Sequence, residues 1–210
     1  MQNIRNIIFD YGNVIFAIDF KLAQQAFTDL GVKDVASLYG HRGQEQLFDD
    51  FDKGMINASE FRDGIRRLAS KPNLTDEQID GAWNALLLGV PDGNHEILLR
   101  CKERYRTFLL SNNNEIHYSW ILDHLQNEHG LSGNDSFFEK SYYSHLLGMR
   151  KPSPEIFELV LDENNLNPGE TLFIDDSPQH LAAASELGIQ TTLLASPRQL
   201  GTLLINHGLI

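Results

Sequence analysis

The sequence has very little cysteine. Only Cys101 occurs among its 210 residues, which excludes a disulfide within the chain and is typical of a reducing compartment. We therefore expect a cytoplasmic protein. Cys101 falls in the helix-like stretch EILLRCKERY, so we interpret it as a packing residue rather than a nucleophile.

Positive charge is also scarce. Lysine and arginine number 17 against 29 acidic residues, which gives a formal net charge of -12. No basic run occurs, and an acidic surface repels phosphate backbones, so we exclude nucleic acid as a partner. An anionic substrate would need a local cation.

Long apolar runs are absent as well. Stretches such as ALLLGV are too short to span a membrane, and the first residues lack a signal-peptide pattern. We therefore expect no membrane partner, and the pattern predicts no particular oligomeric state.

Short apolar runs, in contrast, recur along the chain. Four of them are interpreted as buried strands: NIIF, TFLL, TLFI and IQTTLLA. Helical patterns separate the later ones, and such alternation predicts an α/β fold, a Rossmann-like parallel sheet covered on both faces.

One segment breaks this alternation. Residues 18–88 have helical patterns throughout, beginning with FKLAQQAFTDLG. We predict an α/β core formed by residues 1–17 and 89–210, with residues 18–88 inserted as an α-helical cap. The cap would lie over the carboxyl ends of the strands, where open α/β sheets bind ligands.

Polar residues follow three of the predicted strands. They are Asp10, then Ser111 and Asn112, then Asp175 and Asp176. Because the carboxyl ends of parallel strands lie side by side, we expect these residues to meet at one edge of the sheet.

These three carboxylates would repel one another unless some are protonated or a cation lies among them. Oxygen ligands without histidine or cysteine favour Mg²⁺, commonly shared with a substrate phosphate. Lys151, in GMRKPSPEIF, would add a further positive charge. Ser111 and Asn112 could then donate hydrogen bonds to phosphoryl oxygens. No HxxH or HxxxH spacing occurs, so no zinc site is expected.

The segments FDYGNVI, LLSNN, GMRKPSPEIF and FIDDSP occur in this order along nearly the whole chain. In that order they resemble the haloacid dehalogenase (HAD) superfamily of hydrolases, and FDYGNVI with GMRKP is similar to its α-D-glucose-1-phosphate phosphatase branch. The resemblance implies a Mg²⁺-dependent phosphatase that hydrolyses a small phosphorylated metabolite, expected to be a sugar phosphate such as glucose 1-phosphate.

The resemblance also implies a role for each matching residue. Asp10 would be the nucleophile that forms an aspartyl-phosphate, and it would also bind the metal. Gly12 would offer its backbone carbonyl to Mg²⁺, Asp176 would bind it directly, and Asp175 would act through a water. The phosphate would be held by Ser111, Asn112 and the catalytic Lys151.

The sequence departs from the family at Gly12, where phosphatases usually carry a second aspartate as general acid and base. Such catalysis is typically worth about 10²–10⁴-fold in rate. A water or a cap residue could replace it, a sugar 1-phosphate could need it less because its anomeric oxygen leaves readily, or turnover could be weak or absent. Asp19 is a candidate acid, but we interpret it as the N-cap of the helix that starts near Phe20.

Two alternative functions remain open. L-2-haloacid dehalogenases of the same superfamily lack the second aspartate and use no metal, but they also lack the paired acids found here as Asp175 and Asp176. A non-catalytic phosphate- or sugar-binding module is the other alternative, since the general acid is missing.

Two smaller features carry hypotheses of their own. His180 could lie beside the metal site, although a histidine on a helix surface is the simpler interpretation. In the charged stretch 40–54, His41, Arg42 and Glu45 could face the substrate, and the alternative is a solvated helix face and linker.

Overall fold

A computed structural model describes residues 3–35, 39–40, 43–44 and 46–210. Its main sheet has five parallel strands: β1 (Asn6–Phe9), β6 (Arg106–Ser111), β7 (Lys140–Tyr143), β8 (Thr171–Asp175) and β9 (Gln190–Leu193). They lie side by side in the order β7-β6-β1-β8-β9.

The central strand of this sheet is β1, which is buried along its whole length. Alternate residues enter two separate cores: Ile8 packs on one face of the sheet, and Ile7 and Phe9 on the other. Phe9 is in register with Leu109 of β6 and Ile174 of β8. From this register, β6 continues for two residues, to Ser111, and β8 for one residue, to Asp175, so Asp10 lies beside the carboxyl ends of both strands.

Helices cover both faces of the sheet, as the apolar strands require. They are α5 (Asn94–Lys102), α6 (Glu115–His129), α7 (Ser144–Leu147), α8 (Pro154–Asn164), α9 (Pro178–Glu186) and α10 (Leu200–Asn206). Cys101 is buried in α5, and burial raises the pKa of its thiol to about 12, so it is a packing residue as predicted.

The described part of residues 18–88 is mainly helical. Their helices are α1 (Phe20–Asp29), α2 (Gln46–Asp52), α3 (Ala58–Ala69) and α4 (Asp76–Asn84). Asp19 accepts a hydrogen bond from the Lys21 amide at 2.9 Å and so caps α1, as expected. Capping boxes headed by Asn57 and Thr75 start α3 and α4.

Short antiparallel strands accompany these helices. At the two ends of the helical segment, β2 (Ala17–Ile18) pairs with β5 (Leu87–Gly89). Within it, β3 (Tyr39–Gly40) pairs with β4 (Gly43–Gln44). In the described parts of the chain, no helix has the length and apolar character that crossing a membrane requires.

The sheet has one strand more than the four predicted. The additional strand, β7, lies at the edge of the sheet, and its first two residues, Lys140 and Ser141, are not buried. Its sequence, KSYY, contains no aliphatic residue, whereas each of the four predicted segments contains several. The other edge strand, β9, was predicted to be buried, and this is wrong: Gln190–Leu193 are partly buried or exposed. An edge strand has a neighbouring strand on one side only.

Candidate active site

The polar residues predicted to meet do meet at the carboxyl edge of the sheet. Asp10 follows β1, Ser111 ends β6, and Asp175 ends β8. The Asp10 amide continues the sheet by donating to the Ile174 carbonyl at 2.9 Å. All three side chains are therefore carried by the rigid centre of the fold.

Lys151 lies at the centre of the cluster and is fully buried. Its ammonium nitrogen is 2.7 Å from Asp10 Oδ1 and 2.8 Å from Asp175 Oδ2, and it also lies 5.2 Å from the centre of the Phe173 ring. Lys151 is therefore a local cation of the kind expected near an anionic substrate, and it pairs with two of the three carboxylates, Asp10 and Asp175.

Asn112 holds the backbone that carries this lysine. Its side-chain amide donates to the Lys151 carbonyl, and its side-chain oxygen accepts from the Lys151 amide, both at 2.9 Å. The side chain expected to contact phosphate is therefore engaged in positioning Lys151. Ser111 directs its hydroxyl towards the Asn112 carbonyl at 3.4 Å.

Asp175 is fully buried and accepts several hydrogen bonds. Besides Lys151, the Ser177 amide donates to its Oδ1 at 2.7 Å, and His180 Nδ1 lies 3.0 Å from the same oxygen. The interpretation of His180 as a surface histidine is therefore wrong. His180 lies in the first turn of α9, and its ring is hydrogen-bonded to Asp175.

The carboxylates differ in their proton affinity because their partners differ. Burial raises the pKa of Asp10 well above its ordinary value, and the charges of Asp175 and Asp176 add to this against the effect of Lys151. Burial also acts to raise the pKa of Asp175, but Lys151 and His180 outweigh it and hold that pKa at about 2. Burial opposes the charge of Lys151, yet Asp10 and Asp175 together raise its pKa.

The three carboxylates also fit a divalent cation. One oxygen each from Asp10, Asp175 and Asp176 can be chosen so that all lie within 4.8 Å of one another. This is an all-oxygen donor set of the kind that Mg²⁺ prefers. Because Asp175 already accepts from three neighbours, its position suits an indirect role better than direct ligation.

Gly12 stands where the family usually has its second aspartate, and the structure shows what surrounds it. A Cβ atom built on Gly12 would lie 3.0 Å from Ile18 Cδ1, closer than most side chains allow. The Ile18 backbone amide donates a hydrogen bond to Asn13 Oδ1 at 3.2 Å, which holds the backbone of this residue in place. A side chain at position 12 would therefore require the terminal methyl of Ile18 to move by a few tenths of an ångström.

A cleft opens over this cluster. Its wall is partly apolar, with Phe16, Ile18, Leu86 and Ile121, and partly polar, with Asp52, Asn113, Arg150 and His180. Sequence reasoning did not single out Asp52 or Arg150. The sequence offers one indication for each: Arg150 directly precedes Lys151, and Asp52 lies in the charged stretch 40–54. The residues chosen in that stretch, His41, Arg42 and Glu45, lie outside the described residues.

Comparison with known proteins identifies the family to which the chain belongs. Residues 4–188 match the family model described as haloacid dehalogenase-like hydrolase, and the chain belongs to this family. The family and the α/β fold predicted from the sequence are confirmed.

Three relatives illustrate the similarity. D-ribitol-5-phosphate phosphatase of Bacteroides thetaiotaomicron is 35% identical over 188 residues, covering 90% of both chains. The crystal structure of a wild-type HAD family enzyme of that organism, in complex with magnesium and inorganic phosphate, is 36% identical. It has a TM-score of 0.80 and covers 90% of this chain and 93% of its own. A predicted HAD-like family hydrolase from Porphyromonas gingivalis is 31% identical, with a TM-score of 0.82 and 98% of both chains covered.

Proposed function

We propose that the chain hydrolyses a small phosphorylated sugar or polyol with Mg²⁺ as cofactor. The observation that carries the proposal is the buried cluster of Asp10, Lys151 and Asp175, with Asp176 beside it, at the carboxyl edge of the sheet. The broader prediction, an HAD-like phosphatase that uses Mg²⁺, is confirmed by relatives named as a phosphatase and crystallised with magnesium and phosphate.

In this proposal Asp10 is the nucleophile. One of its carboxylate oxygens forms a bond to phosphorus while the bond from phosphorus to the leaving oxygen breaks, and the leaving oxygen takes up a proton from a water molecule. Water then cleaves the aspartyl-phosphate, which releases phosphate and regenerates the carboxylate. Lys151 holds Asp10 in place and neutralises part of the charge that accumulates on the phosphoryl group.

Mg²⁺ would be held by Asp10, Asp176 and the Gly12 carbonyl. Asp175 would act on the metal through a water. When bound, Mg²⁺ supplies positive charge that favours the ionised, nucleophilic form of Asp10 and offsets the charge of the phosphate. Ser111 and the backbone around Asn112 would donate to phosphoryl oxygens. The side-chain amide of Asn112 instead keeps Lys151 in position.

The same proposal divides the chain into two parts. Residues 1–17 and 89–210 form the catalytic α/β core, and residues 18–88 form a helical cap that contributes Asp52 and the apolar Leu86 to the cleft. The pairing of β2 with β5, where the chain leaves and re-enters the core, supports this division.

Two substrates are supported by different arguments. The relative from Bacteroides thetaiotaomicron supports D-ribitol 5-phosphate. The absence of an acid at Gly12 supports a sugar 1-phosphate such as glucose 1-phosphate, whose anomeric oxygen leaves without much help.

Phosphate release from a panel of sugar and polyol phosphates, with Mg²⁺ and with EDTA, tests this function. We expect Mg²⁺-dependent release that Asp10→Asn abolishes. Release that EDTA does not reduce would contradict the metal dependence. No release from any substrate would favour the binding module, and halide release from 2-haloacids would favour the dehalogenase.

A further inference from the structure

Asp52 brings a carboxylate from the helical segment into the cleft that contains Asp10. It is the last residue of α2 and is buried. Asn114 donates to its Oδ1 at 3.0 Å, across 62 positions in the sequence. Asp52 is therefore a buried, hydrogen-bonded carboxylate and not a solvated surface charge.

Asn114 is itself held on all sides. Its side-chain oxygen accepts from Trp83 Nε1 and from the His117 amide, both at 3.1 Å. Its amide nitrogen also donates to His117 Nδ1 at 3.1 Å, which leaves the proton of the ring on Nε2, bonded to the Trp83 carbonyl at 3.0 Å. The support behind Asp52 is therefore rigid.

Arg150 partly balances the charge of Asp52. Its Nη2 lies 4.0 Å from Asp52 Oδ2, whereas its Nη1 lies 2.9 Å from Asp49 Oδ1. A guanidinium at this position disfavours a second cation, so an ammonium group is a poor partner for Asp52.

The chemistry of the cleft then defines what Asp52 can bind. A phosphoryl group is repelled by this carboxylate and is attracted to the neighbourhood of Lys151. Apolar side chains, including Phe16 and Ile18, line the same cleft. A hydroxyl group on the rest of the substrate is the remaining donor that a carboxylate beside a guanidinium accepts well.

We propose that Asp52 is a specificity-determining residue that accepts a hydrogen bond from a substrate hydroxyl, so that the enzyme selects polyhydroxylated phosphomonoesters over apolar ones. This inference rests on the proposed phosphatase function.

The test compares two five-carbon phosphomonoesters, D-ribitol 5-phosphate and n-pentyl phosphate, which differ in their hydroxyl groups. We expect the wild-type ratio of their kcat/KM values to exceed about 10, and Asp52→Asn to lower that ratio about 10- to 100-fold, as for the loss of one charge-assisted hydrogen bond. Hydrolysis of n-pentyl phosphate, which offers no hydroxyl group to position 52, should fall less than hydrolysis of D-ribitol 5-phosphate, and circular dichroism shows whether the variant folds.

Asp49→Asn is the matched control. Asp49 lies on the same helix and pairs with Arg150, but it is outside the residues that line the cleft. A selectivity ratio that is unchanged in Asp52→Asn, or that falls equally in Asp49→Asn, would overturn the inference.

The wild-type protein gives an independent answer if Asp52→Asn does not fold. A wild-type ratio near one would overturn the inference and leave the phosphatase intact. If the wild type hydrolyses neither ester and no other member of the wider panel, the proposed function and the inference are both refuted.

Discussion

His117 should make the folded protein less stable at mildly acid pH. Its ring is buried between Trp83 and Asn114 and accepts a hydrogen bond through Nδ1, so the neutral form fits and the charged form does not. Burial lowers the pKa of His117 from 6.5 to about 4. In the unfolded chain the ring regains its ordinary pKa.

The sign of the effect follows from proton linkage. Above both pKa values neither state binds the proton, and His117 makes no pH-dependent contribution. As the pH falls below 6.5 the unfolded state takes up a proton that the folded state refuses, so stability is lost down to about pH 4. Between about pH 7.5 and about pH 5 this amounts to a loss of about 2 kcal/mol.

Urea unfolding at these two pH values, followed by circular dichroism, measures the loss. Other groups titrate in the same window, so the informative quantity is the difference between variants. His117→Gln removes the titrating ring and should reduce the acid loss by about 2 kcal/mol relative to the wild type. His207→Gln removes an exposed histidine instead and should retain the wild-type loss. An equal loss in the wild type and in His117→Gln would refute the reasoning.

Three further predictions concern the site itself. Lys151→Met strands two buried carboxylates and should cost about 3–5 kcal/mol of unfolding free energy at neutral pH; a loss below about 1 kcal/mol in urea would contradict the ion-pair account. Gly12→Asp should cost about 1–3 kcal/mol through crowding against Ile18, and adding Ile18→Val should restore part of it in thermal melts; no restoration would exclude that contact as the cause. Asp176→Asn should raise the Mg²⁺ concentration needed for turnover, and unchanged metal dependence would remove its assigned role.

The parts of the fold that sequence reasoning recovered are those with a local cause. The segment Ile7–Phe9 is a continuous apolar run because both faces of β1 are covered, and Asp10 stands out because it ends that run. Parallel pairing then places Asp10 beside Ser111 and Asp175 without further information. The edge strand β7 was missed because its sequence, KSYY, contains no aliphatic residue, whereas β9 was recognised from the apolar residues of IQTTLLA although it is not buried.

The rest of the site depends on contacts between distant residues. Asn112 is hydrogen-bonded to the backbone of Lys151, 39 positions away, and Asn114 is hydrogen-bonded to Asp52, 62 positions away. Neither pair has a fixed spacing or a periodic pattern that a single sequence displays. His180 shows the same limit at short range, because its distance of five residues from Asp175 fits both a surface position and the bond that is observed.

Rapid-quench mass spectrometry tests the central claim most directly. Wild-type protein mixed with Mg²⁺ and a substrate from the panel would be quenched within one turnover and digested. We predict one added phosphoryl group on the peptide that carries Asp10, and none in Asp10→Asn. Phosphate release at the wild-type rate without that modification, or near-normal turnover by Asp10→Asn, would contradict the assignment of Asp10 as the nucleophile.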